Sequence, residues 1–144
     1  MSIPVGRNAD GAVVWHTDSV ELRCVIVDDD VSFLKVARTL LESGGVTVAG
    51  VASTCAEAVQ RVEALRPDVV LIDIRLGEES GFDAARRLAA NEQLAAEGQA
   101  PTLIMISTHA AADYADLIAE SPVTGFLPKA ELSAAAIGRI LKAR

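Results

Sequence analysis

From Leu22 onward, short apolar runs alternate with longer stretches whose apolar residues recur at helical spacing. The runs 22–27, 46–51, 69–72, 103–106 and 123–127 have strand length and are rich in Val and Ile. They lack in–out alternation, as parallel strands do when both faces are buried. Between the first two runs, 31–42 places Phe33, Leu34, Ala37, Leu40 and Leu41 on one stripe before Ser43, Gly44 and Gly45 stop the helix. Thr54 followed by Glu57 is a capping box, opening a helix through Val59, Val62 and Leu65 that halts before Pro67. A third helix is predicted from Gly81 to about Ala96, with Phe82, Ala85, Leu88 and Ala89 inward. A fourth covers 110–120 and a fifth 131–144, the last with Leu132, Ala136, Ile137, Ile140 and Leu141 inward.

Strand followed by helix, five times over, predicts an α/β domain with an open, doubly wound parallel sheet and helices on both faces. Residues 1–21 break this rhythm, with Pro4, Gly6, Asn8, Asp10 and Gly11 among few apolar positions and Val13, Val14 and Trp15 as the hydrophobic cluster. They read as a flexible N-terminal extension, leaving 22–144 as the domain.

Composition supports a single folded unit: 144 residues, 51% hydrophobic and 23% charged, are ordinary globular values. Aromatics are only 3%, so Val, Ile, Leu and Ala must build the core. A formal charge of −7 opposes a phosphate-backbone ligand, which argues against direct nucleic-acid binding. Two cysteines, Cys24 and Cys55, cannot form a disulfide scaffold or a cysteine-rich zinc site and suit a reducing interior. No apolar run approaches the roughly 18 residues of a membrane span, and Arg7, Asn8 and Asp10 stand where a signal peptide is apolar. The expectation is a cytoplasmic protein with no membrane partner.

In open α/β sheets the ligand sits at the carboxyl ends of the strands. The first strand ends in Asp28, Asp29 and Asp30, the third in Asp73, the fourth in Ser107 and Thr108, and the fifth runs into Lys129. Converging carboxylates repel one another unless a cation lies among them, and hard oxygen ligands suit Mg²⁺. A lysine and a hydroxyl beside that ion make a site for a transferred phosphoryl group, so the pattern predicts an aspartyl phosphate.

The segments "VIVDDD", "DVVLIDIRLGEESG", "LIMIST" and "GFLPKAEL" resemble the receiver domain of two-component response regulators, from Leu22 to the C-terminus. The intervals from Asp29 to Asp73 and from Ser107 to Lys129 also match that pattern. The resemblance implies a flavodoxin-like (βα)5 sandwich with five parallel strands in the order 2-1-3-4-5. It implies Asp73 as phosphoacceptor from a sensor histidine kinase or phosphotransfer protein. Mg²⁺ would be held by Asp29, Asp73 and the backbone carbonyl of Arg75, with Asp28 reaching it through water. Ser107 and Lys129 would bind phosphoryl oxygens, and Phe126 would be the aromatic switch. The output surface toward a downstream protein, whose identity is open, would be the fourth helix, fifth strand and fifth helix. Such a chain is a signalling phosphoacceptor and not an enzyme with an external substrate.

Four features depart from the family pattern. Gly77 stands where many receivers have Pro, Pro128 precedes Lys129 instead of following it, extra residues fall near "NEQLAAEGQAP", and Phe126 in place of Tyr removes the hydroxyl, so any switching is steric. Asp30 is assigned to capping the first helix, and His109 and Arg75 to the rim of the site. One rival is a haloacid-dehalogenase-type phosphatase, with Asp28 as nucleophile and Asp30 as acid/base; it leaves Asp73 without a role. A second is a receiver-like module that works without phosphorylation, which would require a missing site residue. Few residues follow Lys129, which points to a stand-alone receiver; the alternative is a receiver fragment of a longer DNA-binding regulator.

Overall fold

The computed structural model describes residues 2–7, 13–17, 22–98 and 100–143, the first two segments as backbone only. Its center is a five-stranded parallel sheet: β3 (Leu22–Val27), β4 (Val46–Ala52), β5 (Val69–Asp73), β8 (Thr102–Ser107) and β9 (Gly125–Pro128), in the spatial order β4-β3-β5-β8-β9. In the order of these five strands along the chain this is 2-1-3-4-5, the expected doubly wound arrangement.

Alternate residues of each strand feed opposite layers. Val25, Val27, Val70, Ile72, Leu103 and Met105 pack against α2 (Cys55–Leu65) and α3 (Gly81–Ala89). Cys24, Ile26, Leu71, Ile104 and Ile106 pack against α1 (Val31–Ser43) and α6 (Ala134–Ala143). Both sheet faces are therefore dry, which explains why the strands read as unbroken apolar runs. Burial pushes the Cys24 thiol up to about 12, with Glu42 adding to the rise and Arg38 opposing it. Burial likewise raises Cys55, helped by Glu79 and opposed by Arg87. Both thiols stay protonated and serve as small core residues.

The helix starts follow side-chain chemistry. Asp30 caps α1, its Oδ1 accepting from Ser32 N–H at 3.0 Å and Phe33 N–H at 3.2 Å. Thr54 caps α2 through Glu57 N–H at 3.1 Å. The Glu57 carboxylate reaches one residue further back than a capping box requires and accepts from Ser53 N–H and Oγ–H, at 2.9 and 2.8 Å. These two bonds, the backbone one first, hold Glu57 below the usual carboxylate range.

Three predicted helices differ from what is observed. The third stops at Ala89, and a separate turn, α4 (Glu92–Ala96), follows. Asn91 causes the break: its Oδ1 caps Leu94 N–H at 3.0 Å while its Nδ2 donates to Glu63 of α2 at 2.8 Å. Ala89 consequently turns outward, and Leu94 is fully buried in its place. The fourth begins as a 3-10 turn, Ala111–Tyr114, before the short α5 (Ala115–Ala119). Ala110 has no side chain able to cap, so the first turn tightens, with Asp113 N–H bonded to the Ala110 carbonyl at 3.1 Å. The fifth starts after Ser133, whose Oγ accepts from Ala136 N–H at 2.9 Å; before it lies a 3-10 turn, Lys129–Glu131.

Four short strands were not expected. β1 (Ser2–Arg7) and β2 (Val13–Thr17) pair antiparallel within the segment read as an extension; the remainder of 1–21 lies outside the described residues. β6 (Arg75–Leu76) and β7 (Glu79–Ser80) make a small hairpin whose turn needs φ +61° at Gly77. No helix among the described residues is long and apolar enough to cross a membrane.

Candidate functional site

Register brings the strand ends together. Val27 pairs with Ile72, so the next residues, Asp28 and Asp73, emerge side by side. Ser107 pairs with Pro128, which sets Lys129 beside it. Asp28 is fully buried, its N–H bonded to the Ala52 carbonyl at 2.9 Å and its Oδ1 accepting from Asp30 N–H at 2.9 Å. Asp29 is exposed beside the hairpin turn. Oxygens of Asp28, Asp29 and Asp73 lie within 4.8 Å of one another.

The Lys129 ammonium bridges two of these carboxylates, 2.6 Å from Asp28 Oδ2 and 3.2 Å from Asp73 Oδ2. A third contact comes from α1, where the Phe33 ring lies 4.3 Å from Lys129 Nζ. Burial alone would lower Lys129, but the hydrogen bond to Asp28 and the charges of Asp73 and Asp28 outweigh it and raise it above its ordinary range. Asp73 is pushed up to about 6, first by burial and then by the Asp28 charge; Lys129 and the Arg75 N–H, 3.4 Å from Oδ1, only partly offset this.

Three carboxylates and one ammonium carry a formal −2, which a divalent cation would neutralize. The buried Asp28 Oδ2 is met among the described residues by the Lys129 ammonium alone. A buried carboxylate oxygen grouped with two further carboxylates, with one ammonium to share, fits a hard, oxygen-seeking cation.

Ser107 is buried at the end of the neighboring strand β8, and its Oγ accepts from His109 N–H at 3.0 Å, leaving the hydroxyl proton without an acceptor among the described residues. The His109 ring meets Thr108 Oγ1 at 3.2 Å and stands edge-on to Tyr114, with centroids 6.2 Å apart. Phe126 is half-buried with Tyr114, Ile118 and Val123 against the core. Arg75 keeps its side chain exposed at the rim.

Asp28, Asp73 and Lys129 are thus in direct contact, with Asp29 within metal-sharing distance of both carboxylates. Asp30 is turned away into the cap of α1, and Asp28 has no exposed face. The phosphatase alternative, which needs Asp28 as an accessible nucleophile and Asp30 as acid/base, therefore lacks its geometry.

Two residues that matter here were not among the expected site residues. A Cβ on Gly81 would lie 1.9 Å from the Asp73 carbonyl oxygen, so only glycine lets α3 start against the end of β5. Phe33 reads as one more residue of an apolar helix stripe. The strand-to-helix boundary at Gly81 was the available signal for the first; nothing in the sequence marked the second.

The family model for the response regulator receiver domain matches residues 24–140. The chemotaxis protein CheY of Thermotoga maritima is 35% identical over 66 residues, 46% of this chain and 55% of that protein. A protein-glutamate methylesterase/protein-glutamine glutaminase of Nocardioides sp. is 34% identical over 88 residues, 60% of this chain but 22% of that protein. The chain thus spans less than two thirds of the length of these relatives. Among solved structures, the signal receiver domain of the putative response regulator NarL from Mycobacterium tuberculosis superposes with a TM-score of 0.69 at 26% identity, covering 86% of this chain and 98% of that one. The signal receiver domain of a modulated diguanylate cyclase from Desulfovibrio desulfuricans gives 0.68 at 30% identity, covering 85% and 92%. The sheet order, the acidic strand ends and the span of the family match agree, and the chain belongs to the response regulator receiver domains of two-component signaling.

Proposed function

We propose that the chain is a phosphoacceptor that takes a phosphoryl group onto Asp73 from the phosphohistidine of a sensor histidine kinase or phosphotransfer protein. It then presents an altered protein-binding surface. The observation that carries this reading is the Lys129 ammonium poised between Asp28 and Asp73 at the strand ends, with the Ser107 hydroxyl proton unspent on the adjoining strand. An Asp73 oxygen attacks phosphorus, the N–P bond breaks, and the imidazole leaves with that electron pair and gains a proton. Lys129 shifts from Asp73 Oδ2 to one phosphoryl oxygen, and Ser107 donates its proton to another.

Asp29, Asp73 and the Arg75 carbonyl would hold Mg²⁺, with Asp28 through water; when bound, the ion neutralizes charge between acceptor and phosphoryl group. Pulling Ser107 inward opens space for Phe126, so the change spreads to α5, β9 and α6 as a steric switch with no hydroxyl involved. The chain acts as its own acceptor, with no external substrate to turn over, and meets its partners in the cytoplasm. Residues 22–144 carry this activity and 1–21 form an appendage to it.

Beryllofluoride with Mg²⁺, followed by amide chemical shifts, tests the reading. It predicts changes at Ser107–His109 and Phe126–Lys129 that need both reagents and vanish in Asp73→Asn. Shifts persisting in that variant would contradict it.

A further inference from the structure

The Lys129 ammonium also has an apolar neighbor. Phe33, in the first turn of α1, lays its ring 4.3 Å from the Lys129 ammonium. Its backbone is fixed by the Asp30 cap, and its side chain is packed, half-buried, against the layer of Leu41, Leu127, Leu132 and Ile137. Lys129 itself is only 11% exposed.

A lysine has four rotatable bonds, and ion pairs alone leave the ammonium free to pivot toward water. Two carboxylates draw Nζ from one side, and the ring's negative face closes the other. We propose that Phe33 is a positioning residue that holds the Lys129 ammonium inside the site, ready to meet the incoming phosphoryl oxygens, through this cation–π contact. An apolar residue of similar bulk keeps the packing but lacks the quadrupole; tyrosine keeps both.

The inference rests on Asp73 being the phosphoacceptor, so its test has one readout independent of phosphorylation. In the full chain, without phosphoryl donor, the Lys129 ε-methylene protons should be shifted upfield by the ring, and Phe33→Leu should abolish that shift while Phe33→Tyr keeps it. With acetyl phosphate and Mg²⁺, Phe33→Leu should be phosphorylated about 3- to 10-fold more slowly, the range a contact of this kind supports. Phe33→Tyr should restore the wild-type rate, and the thermal midpoint of Phe33→Leu should fall by no more than a few degrees, so that the protein stays folded in the assay. Wild-type rate in Phe33→Leu, or no ring-dependent shift, overturns the proposal. If wild type takes up no phosphoryl group, the phosphoacceptor reading fails, and the ring-dependent shift still decides whether Phe33 holds the ammonium.

Discussion

Half-buried and sharing the Lys129 ammonium with Asp28, Asp73 ionizes against its burial and the Asp28 charge, and this has a signed consequence. Its folded-state value of about 6 lies above the ordinary 3.8, so between those pH values the folded chain binds more protons than the unfolded one. Without divalent ions, stability should fall as pH rises through that window and level off above it. Asp73→Asn should then be more stable than wild type above pH ~6, by about 1 kcal/mol after allowance for solvent screening, and the two should converge below pH ~4. Urea melts in chelator check this; an equal gap at both ends contradicts it. For Lys129→Ala, phosphorylation of Asp73 should persist at a reduced rate while the shift changes in Gly125–Pro128 and Ala115–Ala119 disappear. Normal propagation in that variant would show that coupling runs elsewhere. The site residues were legible because chemistry dictates residue type: Asp, Ser and Lys at the ends of buried strands have few other uses. Phe33 was not, since packing against a lysine leaves no periodic signature, and Gly81 was readable only as a helix start.

At the scale of elements, the strands and the first two helices follow from apolar pattern and caps. The third helix does not, because Asn91 is a passable helix residue until its side chain is committed to Leu94 N–H and Glu63. The resulting α4 is anchored at its other end by an ion pair between Arg66 and Glu97. Leu94, fully buried, carries its packing. Leu94→Ala should cost about 2–3 kcal/mol in urea unfolding, with the rate of Asp73 phosphorylation unchanged because the site lies at the other end of the strands. A comparable loss of rate would show that the insertion is coupled to the site. The short fourth helix was likewise hidden: alanine-rich composition favors helix, but without a cap at Ala110 or any buried residue in α5, little holds a longer one together.

At the scale of the whole molecule, two dry layers hold the sheet while the strand ends concentrate negative charge, an arrangement that leaves the ligand to complete the electrostatics. Mg²⁺ at ten times its dissociation constant should stabilize the chain by about 1.4 kcal/mol, and Asp29→Asn should remove most of that gain, read as a thermal midpoint. A phosphoryl group can bias the surface only by the contacts it makes in one conformation and not the other, which on the proposed reading are those to Ser107 and Lys129. All of this depends on where the phosphoryl group goes. Intact-mass analysis after incubation with acetyl phosphate and Mg²⁺, beside Asp73→Asn, reads it directly. One phosphoryl mass gained by wild type and none by the variant is the predicted result; no gain, or a gain that survives in Asp73→Asn, would contradict the assignment of Asp73 as the acceptor.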